Sequence, residues 1–166
     1  MKILYDNEAL NATITGSYST GGGSAIIEPV LSSAAFFTTL TGQYILFDHS
    51  GLDAVVEYAC LYGSNLTNNA TVYLQGNPTN VWTSPAFSMT LSASNEFTNY
   101  TTDDGDYFLV DENGDYIVDE NNDFVYGEFK NEYAYWRLYF SDATNPDAVL
   151  IIPWFFYGTK LDMPGW

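Results

Sequence analysis

Along residues 133–140 the chain alternates strictly. Ala134, Trp136, Leu138 and Phe140 fall on one side of an extended backbone, and Tyr133, Tyr135, Arg137 and Tyr139 on the other. This predicts a strand with the first set in the core. Residues 71–75 repeat the pattern, with Val72 and Leu74 inward. Segments 43–48, 53–62 and 148–157 are more uniformly apolar, as expected of strands covered on both faces, and Ile45 and Phe47 join the predicted core. Clusters such as His49-Ser50-Gly51, Gly63-Ser64-Asn65, Gly76-Asn77-Pro78 and Asp142 to Asp147 separate these runs with turn-forming residues. Many short strands so spaced predict an all-β chain, a two-sheet antiparallel sandwich in one domain over 1–166. A helical turn competes with a strand only around residues 31–37.

One segment breaks this composition. Residues 103–128 carry ten acidic side chains and no basic one, and three strand seeds (107–110, 116–118 and 124–126) alternate with Asx and Gly turns. Asn113-Gly114 is a two-residue hairpin signal. The segment is expected to be an acidic β-meander inserted at about 101–128 between two strands of the sandwich.

The charge balance narrows the partners. There are 21 acidic side chains and only 4 basic ones, Lys2, Lys130, Arg137 and Lys160, for a net charge of −17. Four scattered cations cannot neutralise a run of phosphates, so nucleic acid is excluded as a main partner. No apolar run approaches the length of a membrane span, and no signal-peptide core opens the chain, so neither membrane insertion nor export by the usual route is expected. Hydrophobic residues at 46% nevertheless supply a real core.

Candidate chemistry is sparse. Asp48-His49-Ser50 holds the residue types of a nucleophilic triad, but consecutive residues on an extended chain point to opposite sides, and a polar turn is expected there. The single cysteine, Cys60, lies in an apolar run and reads as a buried thiol. Asp111, Asn113 and Asp115, and again Asp119, Asn121 and Asp123, have the opening spacing of a calcium loop. Tyr116 and Phe124 then replace the glycine such a loop needs, so only non-EF-hand Ca2+ binding between acidic turns is open, with solvated hairpin tips as its alternative. No other cofactor is expected. Aromatics are plentiful, with 14 Tyr, 11 Phe and 4 Trp. Tyr133, Tyr135, Tyr139, Trp82, Trp154 and Trp166 are the candidates for stacking on a sugar or filling a protein interface.

Two stretches carry a family likeness. Leu61-Tyr62-Gly63-Ser64-Asn65-Leu66-Thr67-Asn68-Asn69-Ala70-Thr71-Val72-Tyr73-Leu74-Gln75-Gly76 and Tyr135-Trp136-Arg137-Leu138-Tyr139-Phe140-Ser141-Asp142-Ala143-Thr144-Asn145-Pro146-Asp147 resemble paired motifs of tailed-phage and prophage virion proteins. The resemblance implies a discoidin or galactose-binding-like jelly roll. After Asn-Pro-Asp the family usually has Gly-Tyr-Ile-Glu-Ile-Gly-Arg, whereas here the chain runs Ala148-Val149-Leu150-Ile151-Ile152-Pro153-Trp154. The implied function is a non-enzymatic virion structural protein, tail-associated, acting in assembly or host attachment. It would be made in the host cytoplasm, oligomeric in the particle and in contact with other virion proteins. The alternative is a carbohydrate-binding module recognising host glycans.

Overall fold

The alternation of the tyrosine-rich strand is the backbone of the observed architecture. The computed structural model describes residues 2–27, 33–49, 51–56, 58–91, 107–108, 126–127 and 131–162. Its strands are β1 (Lys2–Asn7), β2 (Thr13–Gly16), β3 (Ala35–Phe37), β4 (Gln43–Asp48), β5 (Ala54–Val56), β6 (Tyr58–Tyr62) and β7 (Thr71–Asn77). They continue with β8 (Phe87–Thr90), β9 (Tyr107–Phe108), β10 (Tyr126–Gly127), β11 (Asn131–Tyr133), β12 (Tyr135–Ser141), β13 (Leu150–Ile152) and β14 (Trp154–Asp162). Helical structure among the described residues is confined to short 3₁₀ turns at Glu8–Asn11 and Gly23–Ile26. Residues 35–37, where a helical turn competed, form β3. No helix among the described residues is long and apolar enough to cross a membrane.

Residues 1–100 and 131–166 form one unit. Its larger sheet has the order β2-β4-β12-β7-β8, every neighbour antiparallel. The facing layer is β1-β14-β6, whose Phe155 and Tyr157 pack on Phe47 of the larger sheet, and β13-β3 and β11-β5 form separate two-stranded sheets. Ile45, Phe47, Val72, Leu74, Trp136, Leu138 and Phe140, the whole predicted core set, have no solvent exposure. They meet Phe155 and Tyr157 of β14 and Phe37 of β3. Phe47 lies 4.7 Å from the Tyr157 ring, and Phe140 lies edge-on to Phe37 at 4.9 Å. The buried Trp136 Nε1 donates to the Ala54 carbonyl at 3.2 Å, so the largest core side chain carries no orphaned donor.

The expected single strand over residues 133–140 is two strands. At Ala134 the chain leaves the larger sheet. The Ala134 carbonyl still accepts from His49 N, but Tyr133 already pairs with Ala54 of β5. The kink changes what Tyr133 faces. Its ring packs on Trp136 at 5.4 Å and stacks with Phe87 at 6.3 Å, so it belongs to the core margin and not to the outward set with Tyr135. Gly76 makes room for it, since a Cβ there would lie 2.3 Å from the Tyr133 ring.

The two motifs of the family likeness dock on each other. Asp142 is buried and accepts from Thr67 N at 2.8 Å, Thr67 Oγ1 at 2.9 Å and Asn145 Nδ2 at 2.9 Å. Asn145 Nδ2 also donates to the Asn65 carbonyl, while Asn65 donates to Asp147 and the Val149 carbonyl and accepts from Ile151 N. Burial pushes the Asp142 carboxyl up, but the donors from Thr67 and Asn145 outweigh it and hold the pKa below its ordinary value. The motifs are therefore a polar lock between two loops.

Residues 101–130 form a second unit, in which β9 and β10 pair antiparallel. The hairpin tips of the expected acidic meander, with Asp111, Asn113, Asp115, Asp119, Asn121 and Asp123, lie outside the described residues.

Candidate functional site

The outward face of the larger sheet is built in rows by strand register. One row holds Tyr44, Tyr139 and Tyr73, on β4, β12 and β7. The next holds Leu46, Arg137, Gln75 and Ser88, and a third holds Asp48, Tyr135 and Asn77. Neighbouring strands are about 4.8 Å apart, so the tyrosine row spans about 10 Å of flat aromatic surface. Tyr44 is 38% exposed, and Tyr73, Tyr135 and Tyr139 are half-buried.

Arg137 stands at the centre of this face. Its guanidinium lies 4.4 Å from the Trp82 ring and 5.0 Å from the Tyr139 ring, both within cation–π range. Nε and an Nη nitrogen donate to Gln75 Oε1 at 3.0 and 2.5 Å. Gln75 in turn donates to Ser88 Oγ. Burial lowers the Arg137 pKa, and the neighbouring Tyr139 and Tyr44 raise it in part. Among the described residues no carboxylate pairs with this cation.

Trp82 comes from the loop after β7, and that loop is held by Asn77. The buried Asn77 side chain donates to the Val81 carbonyl and accepts from Ala86 N, and Trp82 Nε1 donates to Asn80 Oδ1 at 2.7 Å. Val81, beside Trp82, is 56% exposed. A loop so fixed holds an indole at the rim of the sheet face, next to Arg137.

Of the six aromatic candidates, Trp82, Tyr135 and Tyr139 share this side of the sandwich. Tyr133 is turned to the core margin, and Trp166 lies outside the described residues. Trp154 belongs to the facing layer. It lies 6.4 Å from Tyr62 and 6.5 Å from Phe156, with its buried Nε1 unpartnered among the described residues. Arg137, Tyr44, Tyr73 and Gln75 were not singled out as site residues from sequence. The signal for Arg137 was present: one basic residue two positions from a tyrosine on either side along an alternating strand.

The single histidine and the single cysteine point inward. The expected turn follows β4, with Leu52 N donating to the His49 carbonyl at 3.1 Å, but the His49 side chain is buried, with Nε2 2.8 Å from the Tyr157 hydroxyl. Burial lowers the His49 pKa, with Asp48 opposing, and burial followed by the charge of Glu8 raises that of Tyr157 well above 10. The phenol therefore donates and Nε2 accepts, a tautomer assigned from this pairing. Burial pushes the Cys60 thiol up to about 11, which keeps it out of the nucleophilic thiolate form. Among the described residues no three His, Cys, Asp or Glu side chains converge as metal ligands.

No family model and no curated protein matches this chain. Solved structures do. The CBM32 module of AlyQ, in complex with 4,5-unsaturated mannuronic acid, is 16% identical with a TM-score of 0.51, over 95% of this chain and 97% of that one. A CBM32 module from Clostridium perfringens, CpGH89CBM32-4, is 14% identical with a TM-score of 0.52, over 93% and 100% of the two chains. Truncated AlyQ with CBM32 and alginate lyase domains is 17% identical with a TM-score of 0.52, over all of this chain and 36% of that one. At such identities the likeness establishes architecture: the chain folds as an antiparallel galactose-binding-like β-sandwich.

Proposed function

We propose that this protein is a carbohydrate-binding module, with the outward face of the β2-β4-β12-β7-β8 sheet as its binding surface. The observation that carries this reading is the Tyr44-Tyr139-Tyr73 row beside the Trp82–Arg137 stack. Aromatic rings present flat apolar surface to the C–H faces of a sugar, and the tyrosine hydroxyls, Gln75 and Arg137 supply polar groups at its edge. The architectural likeness to CBM32 modules supports it. The rings, amide and guanidinium of this face supply the chemistry of recognition.

This ranks glycan binding above virion assembly. The motifs shared with virion proteins are the two halves of the Asp142–Asn145 lock, so they account for the sandwich and carry no information about the particle. A copy borne on a virion would use the same face for attachment to a host glycan. The test is a glycan array followed by calorimetry. Trp82→Ala, at a half-buried loop position, should weaken binding of the best glycan about tenfold, roughly 1.4 kcal/mol, with no change in melting temperature. A folded protein that retains no glycan, or Trp82→Ala binding equally well, overturns the assignment.

A further inference from the structure

In a chain with 21 acidic side chains against 4 basic ones, a cation on an outward sheet face has carboxylates in abundance to pair with. Arg137 pairs with none among the described residues. A guanidinium carries five N–H donors in a planar fork, and two of them go to one neutral oxygen, Gln75 Oε1. Among the described residues three donors at the Nη end are left without an acceptor, and the positive charge is met by the Trp82 and Tyr139 rings. Glutamate at position 75 could hold the same fork and neutralise it. Glutamine instead orients the guanidinium and leaves its charge available for a ligand.

We infer that Arg137 reads a carboxylate, and that the glycans bound on this face are acidic ones carrying uronate or sialate residues. The inference rests on the glycan-binding reading and specifies its ligand class. The Nη end of the guanidinium forks onto the sugar carboxylate in a charge-assisted, bidentate contact, while the sugar ring lies on the tyrosine row. The net charge of −17 opposes the approach of an anion, but at 0.15 M salt that repulsion decays over about 8 Å, and a half-buried contact is screened less.

Calorimetry of the full chain against oligogalacturonate, oligomannuronate and a sialylated trisaccharide, each beside its carboxyl-reduced form, tests this. The expected result is at least one acidic glycan bound about tenfold or more tighter than its reduced form, with the preference lost in Gln75→Glu. That variant keeps an acceptor for Arg137, and an unchanged melting temperature would show that the loss comes from charge and not from misfolding. The arm that responds distinguishes uronate from sialate. Equal affinity for acidic and reduced forms overturns the carboxylate inference and leaves glycan binding standing. An acid preference that survives Gln75→Glu overturns the role of Arg137. Binding of neither form overturns the inference, and the glycan array then decides whether the broader reading falls with it.

Discussion

Trp136 and His49 show how single residues tie the two layers together. Trp136 combines zero exposure with a satisfied indole N–H, so Trp136→Ala removes both a large apolar volume and the donor to Ala54. A loss of about 3–5 kcal/mol is expected by chemical denaturation; less than about 1 kcal/mol would contradict the observed packing. His49 links stability to pH. Its folded pKa lies below 6.5, so as pH falls through about 6.5 the unfolded chain takes up a proton that the folded chain does not. Stability is therefore full above that value and declines as pH falls toward the lowered folded pKa. Thermal melts should show a drop between about pH 7.5 and 5.5 that His49→Gln flattens. Parallel curves for the two proteins would assign the dependence to other groups. Asp142, also lowered, acts in a more acidic window: its contribution is present above about pH 3.8 and disappears as pH falls through the folded value.

The elements are largely those that alternation predicts, and their departures have local causes. The burial of Trp136, Leu138 and Phe140 was legible because side chains of a strand alternate whatever the partner strand is. The break at Ala134 was not, because it arises from His49 and Ala54 competing for adjacent residues of one chain from two directions. The loop after Asn145-Pro146-Asp147 offers a test at this scale. Ala148 sits at φ +54°, a left-handed conformation unfavourable to a residue with a Cβ, at the position where the resembling family carries glycine. Ala148→Gly should relieve that strain. The greater unfolded-state entropy of glycine offsets part of the gain, leaving a net stabilisation of up to about 1 kcal/mol in urea denaturation. A loss of stability would show that the entropy term dominates.

At the scale of the molecule, residues 101–130 form a unit of their own, distinct from the one made by 1–100 and 131–166. We therefore propose that the acidic stretch is an insertion on a self-sufficient sandwich. Replacing residues 102–127 with a short Gly/Ser linker should leave a single cooperative unfolding transition, since among the described residues the sheets of the sandwich pair without any strand from that stretch. A product that aggregates, or that melts without cooperativity, would show that the sandwich depends on the segment.

By itself the sequence determined the all-β class and the seven core residues from Ile45 to Phe140, because periodicity and turn chemistry are local and each strand carries its own record of which side is dry. It also marked Asn65, Asp142 and Asn145 within two motifs, although not that they meet. The tertiary structure alone decided that those motifs lock together, that Tyr133 turns inward over Gly76, and that Trp154 and Trp82 belong to different layers. It alone assembled the candidate site. Tyr44, Tyr73, Gln75, Trp82 and Arg137 are separated by up to 93 positions, and they become neighbours through antiparallel register and, for Trp82, through the loop that Asn77 holds, non-local properties that no window of the sequence contains.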